Sequence, residues 1–99
     1  MRREALEKLW DAWERIKTIN PAKDKRASVK ILLDKASPEE RFRQILETDA
    51  NQLTKIGNDF LIRHTETDKP PIQSHKHVDY LFHRLFAMIR LLLETLEGV

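Results

Sequence analysis

The stretch GNDFLIRHTET, residues 57–67, sets Asn58, Asp59, Arg63, His64 and Glu66 around the apolar run Phe60, Leu61 and Ile62. An imidazole titrates near neutral pH and can take or return a proton, while a guanidinium is always charged and can hold an anion. His64 and Arg63 therefore offer a base and a phosphate clamp side by side. The same groups have a plainer use. Arg63 can pair with Glu66 while His64 and Asn58 bond loose helix ends, which would only close a corner of the chain.

Other chemistries find less support. His75, Asp79 and His83 are spaced four apart, as on one helix face, but no further zinc ligand is signalled and no metal is expected. There is no Gly-rich phosphate loop, no serine or cysteine nucleophile motif, no carboxylate pair set for glycoside chemistry and no sign of a cofactor.

The elements that must position Arg63 and His64 are helical. The chain has 99 residues, 40% of them hydrophobic, enough for one domain and one core. It holds two glycines and four prolines, and no stretch alternates apolar with polar residues as a half-buried strand does. Prolines at 21, 38, 70 and 71 divide it into four helical segments. The expected fold is an all-α four-helix bundle with a shorter second helix, spanning residues 1–99 as a single domain.

Each segment has an expected face. From Arg2 to about Ile19, Leu6, Leu9, Trp10, Trp13 and Ile16 share one side. From about Lys25 to Ala36, Val29, Leu32, Leu33 and Ala36 point inward, and the basic start with Lys23, Lys25, Arg26 and Lys30 is a weak candidate for phosphate contact. Ser37-Pro38-Glu39-Glu40 reads as a capping box with Ser37 at the cap. The stripe that follows reads Phe42, Ile45, Leu46, Asp49, Leu53, Ile56 and Phe60. A carboxylate within it needs donors or a cation. Continued past Gly57, the same wheel brings Arg63 and His64 to the side of Asp49. Ser74 should cap the last helix, which presents Val78, Phe82, Leu85, Ile89, Leu92 and Leu96, widened by Leu81, Phe86, Met88 and Leu93. A second strip, Tyr80, Arg84, Ala87 and Leu91, would stay wet in a monomer and suggests a homodimer.

Lys plus Arg number 18 against 16 for Asp plus Glu, so RNA is permitted as a partner without being implied. The absence of cysteine and of any apolar run near 20 residues points to a cytoplasmic protein with no membrane partner.

LTKIGNDFLIRHTETDKPPI, followed by VDYLFHRLFAMIRLLL and preceded by ALEKLWDAWERIKTI, resembles the C-terminal helical domains of bacterial abortive-infection and related antiphage defence proteins, within or close to the HEPN superfamily. Such domains are small helical bundles that commonly dimerise, and the active ones cut RNA without a metal. The resemblance makes Arg63 and His64 the catalytic candidates, with Asn58, Glu66, Asp49 and His75 in support. It implies a HEPN-like RNA-directed effector, with a metal-independent endoribonuclease site completed across a dimer. A family histidine would follow four to six residues after His64, where this chain has Asp68, Lys69 and Pro70, and the next one is His75. His64 itself, His75 from a lengthened loop, or a degenerate site that does not cut all fit this pattern. The competing reading is a non-catalytic oligomerisation or docking module of a larger defence protein.

Overall fold

Four helices follow in chain order in the computed structural model, which describes residues 2–19, 25–60, 62 and 68–98. They are α1 (Arg2–Ile16), α2 (Lys25–Ala36), α3 (Glu40–Asp59) and α4 (His75–Glu97), with no strand among the described residues. The chain is an all-α bundle whose shortest helix is α2, of 12 residues. α4 packs on α1 and α2, and α2 also packs on α3.

α1 buries the face expected of it, with Leu6, Trp10, Trp13 and Ile16 in the core and Leu9 packed against it. It stops at Ile16, short of Ile19. There Thr18 and Ile19 donate to the carbonyls of Arg15 and Ile16 at 3.1 and 3.2 Å, a three-residue closure that tightens the last turn. α2 contributes Val29, Leu32 and Leu33, with Ala36 partly buried. α4 contributes Val78, Leu81, Leu85, Met88, Ile89 and Leu92, more core residues than any other helix. Phe86, Leu93 and Leu96, expected inside, stay substantially exposed, Phe86 stacking on Phe82 at 6.2 Å between ring centroids. The Ser74 hydroxyl accepts from the Lys76 amide at 3.2 Å, and Gly98, at φ 75, closes α4 in the left-handed region.

Two expectations for α3 are corrected. Its cap is Glu39 and not Ser37. The Glu39 carboxylate accepts from the Phe42 amide at 2.7 Å, while the Ser37 hydroxyl donates to the Glu39 carbonyl at 3.1 Å. A carboxylate here satisfies an orphan amide and also favours the positive end of the helix dipole. Its pKa lies below the ordinary carboxylate value because the Phe42 amide, and then Arg41, bond the charged form.

The second correction concerns rotation about the helix axis. The buried residues of α3 are Leu46, Ala50, Leu53 and Gly57, whereas Phe42 and Ile45 are 54% and 57% exposed. The face has turned toward its two smallest members because the Trp10 indole lies against the backbone there. A Cβ on Gly57 would fall 1.9 Å from Trp10 Cη2, so only a residue without a side chain fits. Asp49 consequently leaves the stripe, and its side chain is 49% exposed. α3 ends at Asp59, with Phe60 extended at φ −123 and ψ 154. The wheel that was to carry Arg63 and His64 round to Asp49 stops there.

Replacing Gly57 by Ala should destabilise the fold by about 1–3 kcal/mol through overpacking, more than the roughly 1 kcal/mol that Ala gains in helix propensity. Denaturant melts of Gly57→Ala, Trp10→Leu and the double variant check this. The combined loss should be smaller than the sum, since Trp10→Leu opens the space the new methyl needs. For Glu39, a depressed native pKa means stabilisation that is fully present above the unfolded value near 4.5 and fades as pH falls through the lower native value. Glu39→Gln should therefore lower Tm at pH 7 and converge on the parent protein in acid, as read by thermal melts across pH.

Candidate functional site

The chain leaves α3 through Phe60 and immediately regains the core. Ile62 is buried, at 7% exposure, and belongs to the same apolar cluster as the helices. Of the predicted site, Arg63, His64 and Glu66 lie outside the described residues. The far end of the segment is also tied to the bundle. Lys69 Nζ donates to the Gly57 carbonyl at 3.2 Å, filling one of the acceptors that a helix C-terminus leaves open. Ile72 packs on the core, and its carbonyl accepts from the Arg3 guanidinium. RHTET, residues 63–67, thus runs between a residue sunk in the core and a lysine bonded to the end of α3.

The supporting candidates within the described residues do not converge. Asp49 and Asn58 are nine residues apart on one helix, about 13 Å along its axis and roughly half a turn round it. Asp49 lines a groove of about 270 Å³ between α3 and α4, together with Leu46, Leu53, Arg84, Ala87 and Leu91. Its carboxylate lies 3.7 Å from Arg84 Nη2, the cation its position called for. Asn58 faces the opposite side, on an open cleft of about 650 Å³ between α1, α2 and α3. His75 is the exposed first residue of α4, just after the Ser74 cap. The two sides of α3 therefore belong to different surfaces, and one imidazole cannot be oriented by Asp49 and Asn58 together.

The cleft beside Asn58 also contains Lys17, which apolar patterning does not single out. Lys17 is buried, its ammonium bonded to Glu14 Oε1 at 3.3 Å and to Thr54 Oγ1 at 3.5 Å. It lies over the rings of Trp10 and Trp13, 5.5 and 5.4 Å from their centroids. The signal was available, since Lys17 follows Trp10 by seven residues and Trp13 by four, on the same helical face. These bonds tie the end of α1 to α3. Behind it Trp13 Nε1 is buried and meets no acceptor among the described residues. Lys30, from the basic start of α2, is exposed on the rim of this cleft. Lys23 and the side chains of Lys25 and Arg26 lie outside the described residues.

Among the described residues, no three histidine or acidic side chains come together in a group able to hold a metal ion, and His75, Asp79 and His83 form none. No described helix is long and apolar enough to cross a membrane. Compared with protein-family models, curated proteins and solved structures, the chain matches none of them.

The Lys69 tie is open to test. Lys69→Met keeps the aliphatic stem and removes the donor to the Gly57 carbonyl. It should speed proteolytic cleavage between residues 60 and 74 several-fold while the far-ultraviolet circular dichroism of the helices is unchanged. Unchanged cleavage would mean that the bond does not hold the segment.

Proposed function

We propose that the chain is a HEPN-like, RNA-directed effector domain of phage defence whose chemistry is metal-independent endoribonuclease cleavage, with Arg63 and His64 as its working pair. The observation that carries this reading is the burial of Ile62 directly before Arg63, with Lys69 anchoring the other side of the segment. Both ties are of the kind that close helix ends in general, and here they fall on either side of Arg63 and His64 in the chain. A catalytic pair needs a rigid support, because the base must stay within hydrogen-bond reach of one particular proton.

In this mechanism His64 takes the proton of the ribose 2′-hydroxyl. The 2′-oxygen attacks the neighbouring phosphorus, and the bond to the 5′-oxygen breaks. The imidazolium then returns its proton to the leaving 5′-oxygen, yielding a cyclic phosphate end and a 5′-hydroxyl end. Arg63 holds the phosphate oxygens while negative charge builds on them. Asn58, at the end of α3, is better placed in the chain to assist than Asp49, which is engaged with Arg84.

A second reading, a non-catalytic oligomerisation or docking module, is favoured by a separate observation: among the described residues four large apolar side chains, Ile19, Phe42, Ile45 and Tyr80, each lie more than half exposed. One assay separates the two. Purified protein should cut RNA in EDTA, and Arg63→Ala and His64→Ala should each lose about a hundredfold or more of the rate while melting as the parent does. Absence of cleavage, or cleavage that survives His64→Ala and His75→Ala together, would leave the docking reading in its place.

A further inference from the structure

The cleft between α1, α2 and α3, about 650 Å³, falls within the roughly 300–1,000 Å³ of small-molecule sites, which pair an apolar wall with a few placed polar groups. Its apolar wall is drawn from all three helices, with Trp13 from α1, Val29 and Leu33 from α2 and Ala50 from α3. A donor without an acceptor is set into that wall. Trp13 is fully buried, and its Nε1 meets no acceptor among the described residues. Buried polar groups are nearly always bonded, so an orphan donor in the wall of a cleft is a place where a ligand oxygen would be stabilised.

Charge narrows the choice of ligand. Three acids line the cleft, Glu14, Glu47 and Asp59, and each is held in an ion pair within the chain. Glu14 pairs with Lys17 at 3.3 Å, Glu47 with Arg43 at 3.1 Å and Asp59 with Lys55 at 3.0 Å. Of the three lysines on the cleft, Lys17 and Lys55 are engaged in those pairs, and Lys30 alone makes no ion pair among the described residues. Lys30 is exposed on the rim and open to an anion. It precedes Leu33 by three residues on α2, so its charge and the apolar wall share one side of that helix. A single negative charge is matched there, and a polyanion is not.

We propose that this cleft binds a small monocarboxylate with an apolar body and a carbonyl oxygen, its carboxylate at Lys30, its body along Val29 and Leu33, and its carbonyl accepting from Trp13 Nε1. The assignment stands apart from the RNA chemistry, since Arg63 and His64 take no part in it and its readout is binding.

The probe is 4-oxo-4-phenylbutanoate, compared with 4-phenylbutanoate, which lacks the carbonyl, and with 4-oxo-4-phenylbutanamide, which lacks the charge. The chain has two tryptophans, so a proton–nitrogen correlation spectrum shows two indole N–H signals, and Trp10→Phe identifies the one from Trp13. The keto acid should move the Trp13 signal downfield and saturably, together with the backbone amides of Val29 and Leu33. Lys30→Glu, a change at an exposed position that keeps the melting temperature, should weaken binding roughly tenfold, and Lys30→Arg should retain it. The amide and 4-phenylbutanoate should each bind roughly tenfold more weakly than the keto acid, and 4-phenylbutanoate should leave the Trp13 indole proton in place. No saturable change at about 10 mM keto acid overturns the assignment. Binding indifferent to Lys30→Glu, or equally tight without the carbonyl or the charge, overturns it too.

Discussion

The Trp10 indole resting on the bare backbone at Gly57 is the contact on which the arrangement of this bundle depends. A helix packs by the face on which its neighbour fits best, and hydrophobicity alone does not select that face when several adjacent arcs are apolar. α3 has such a choice. Phe42, Ile45 and Ile56 offer one arc, while Ala50 and Gly57 offer another that is less hydrophobic but lower in profile. The Trp10 indole occupies the space that a side chain at position 57 would need, and α3 buries the second arc against it. Leu46 and Leu53, between the two, are buried either way.

Most of what distinguishes the surface follows from that choice. Asp49 moves from an expected core position to the rim, where Arg84 meets it without the penalty of deep burial. Phe42 and Ile45 are left toward solvent. On the other side of the same helix, Thr54 comes within reach of the Lys17 ammonium, which is held over both indoles. One packing contact thus separates α3 into an apolar face with a single ion pair and a polar cleft.

The end of α3 shows the same coupling at the candidate site. The helix stops at Asp59, and the chain re-enters the core at Ile62 within three residues. Gly57 takes part here as well, because its carbonyl receives Lys69 from beyond the loop. A residue that accommodates an indole on one side therefore also holds Lys69 through its carbonyl. Ile62 and Lys69, which flank Arg63 and His64 in the chain, are each held to the bundle.

The sequence by itself determined the class of fold, the number of helices, the buried faces of α1 and α2 and the Ser74 cap, because these rest on local periodicity and short-range hydrogen bonding. It also displayed Arg63 and His64 as neighbours, and of the strip expected to stay wet Tyr80 and Ala87 are exposed, whereas Arg84 is half-buried and Leu91 packs against the core. Only the tertiary structure decided which arc of α3 lies inward, where Asp49 finds its cation, that Lys17 is buried and that Asn58 and Asp49 serve different surfaces. Those outcomes depend on the size of Trp10 and the absence of a side chain at Gly57, 47 residues apart in the chain. Glu39 took the cap from Ser37 for a local reason that patterning does not register: its carboxylate could bond the Phe42 amide directly while the serine hydroxyl bonded a carbonyl.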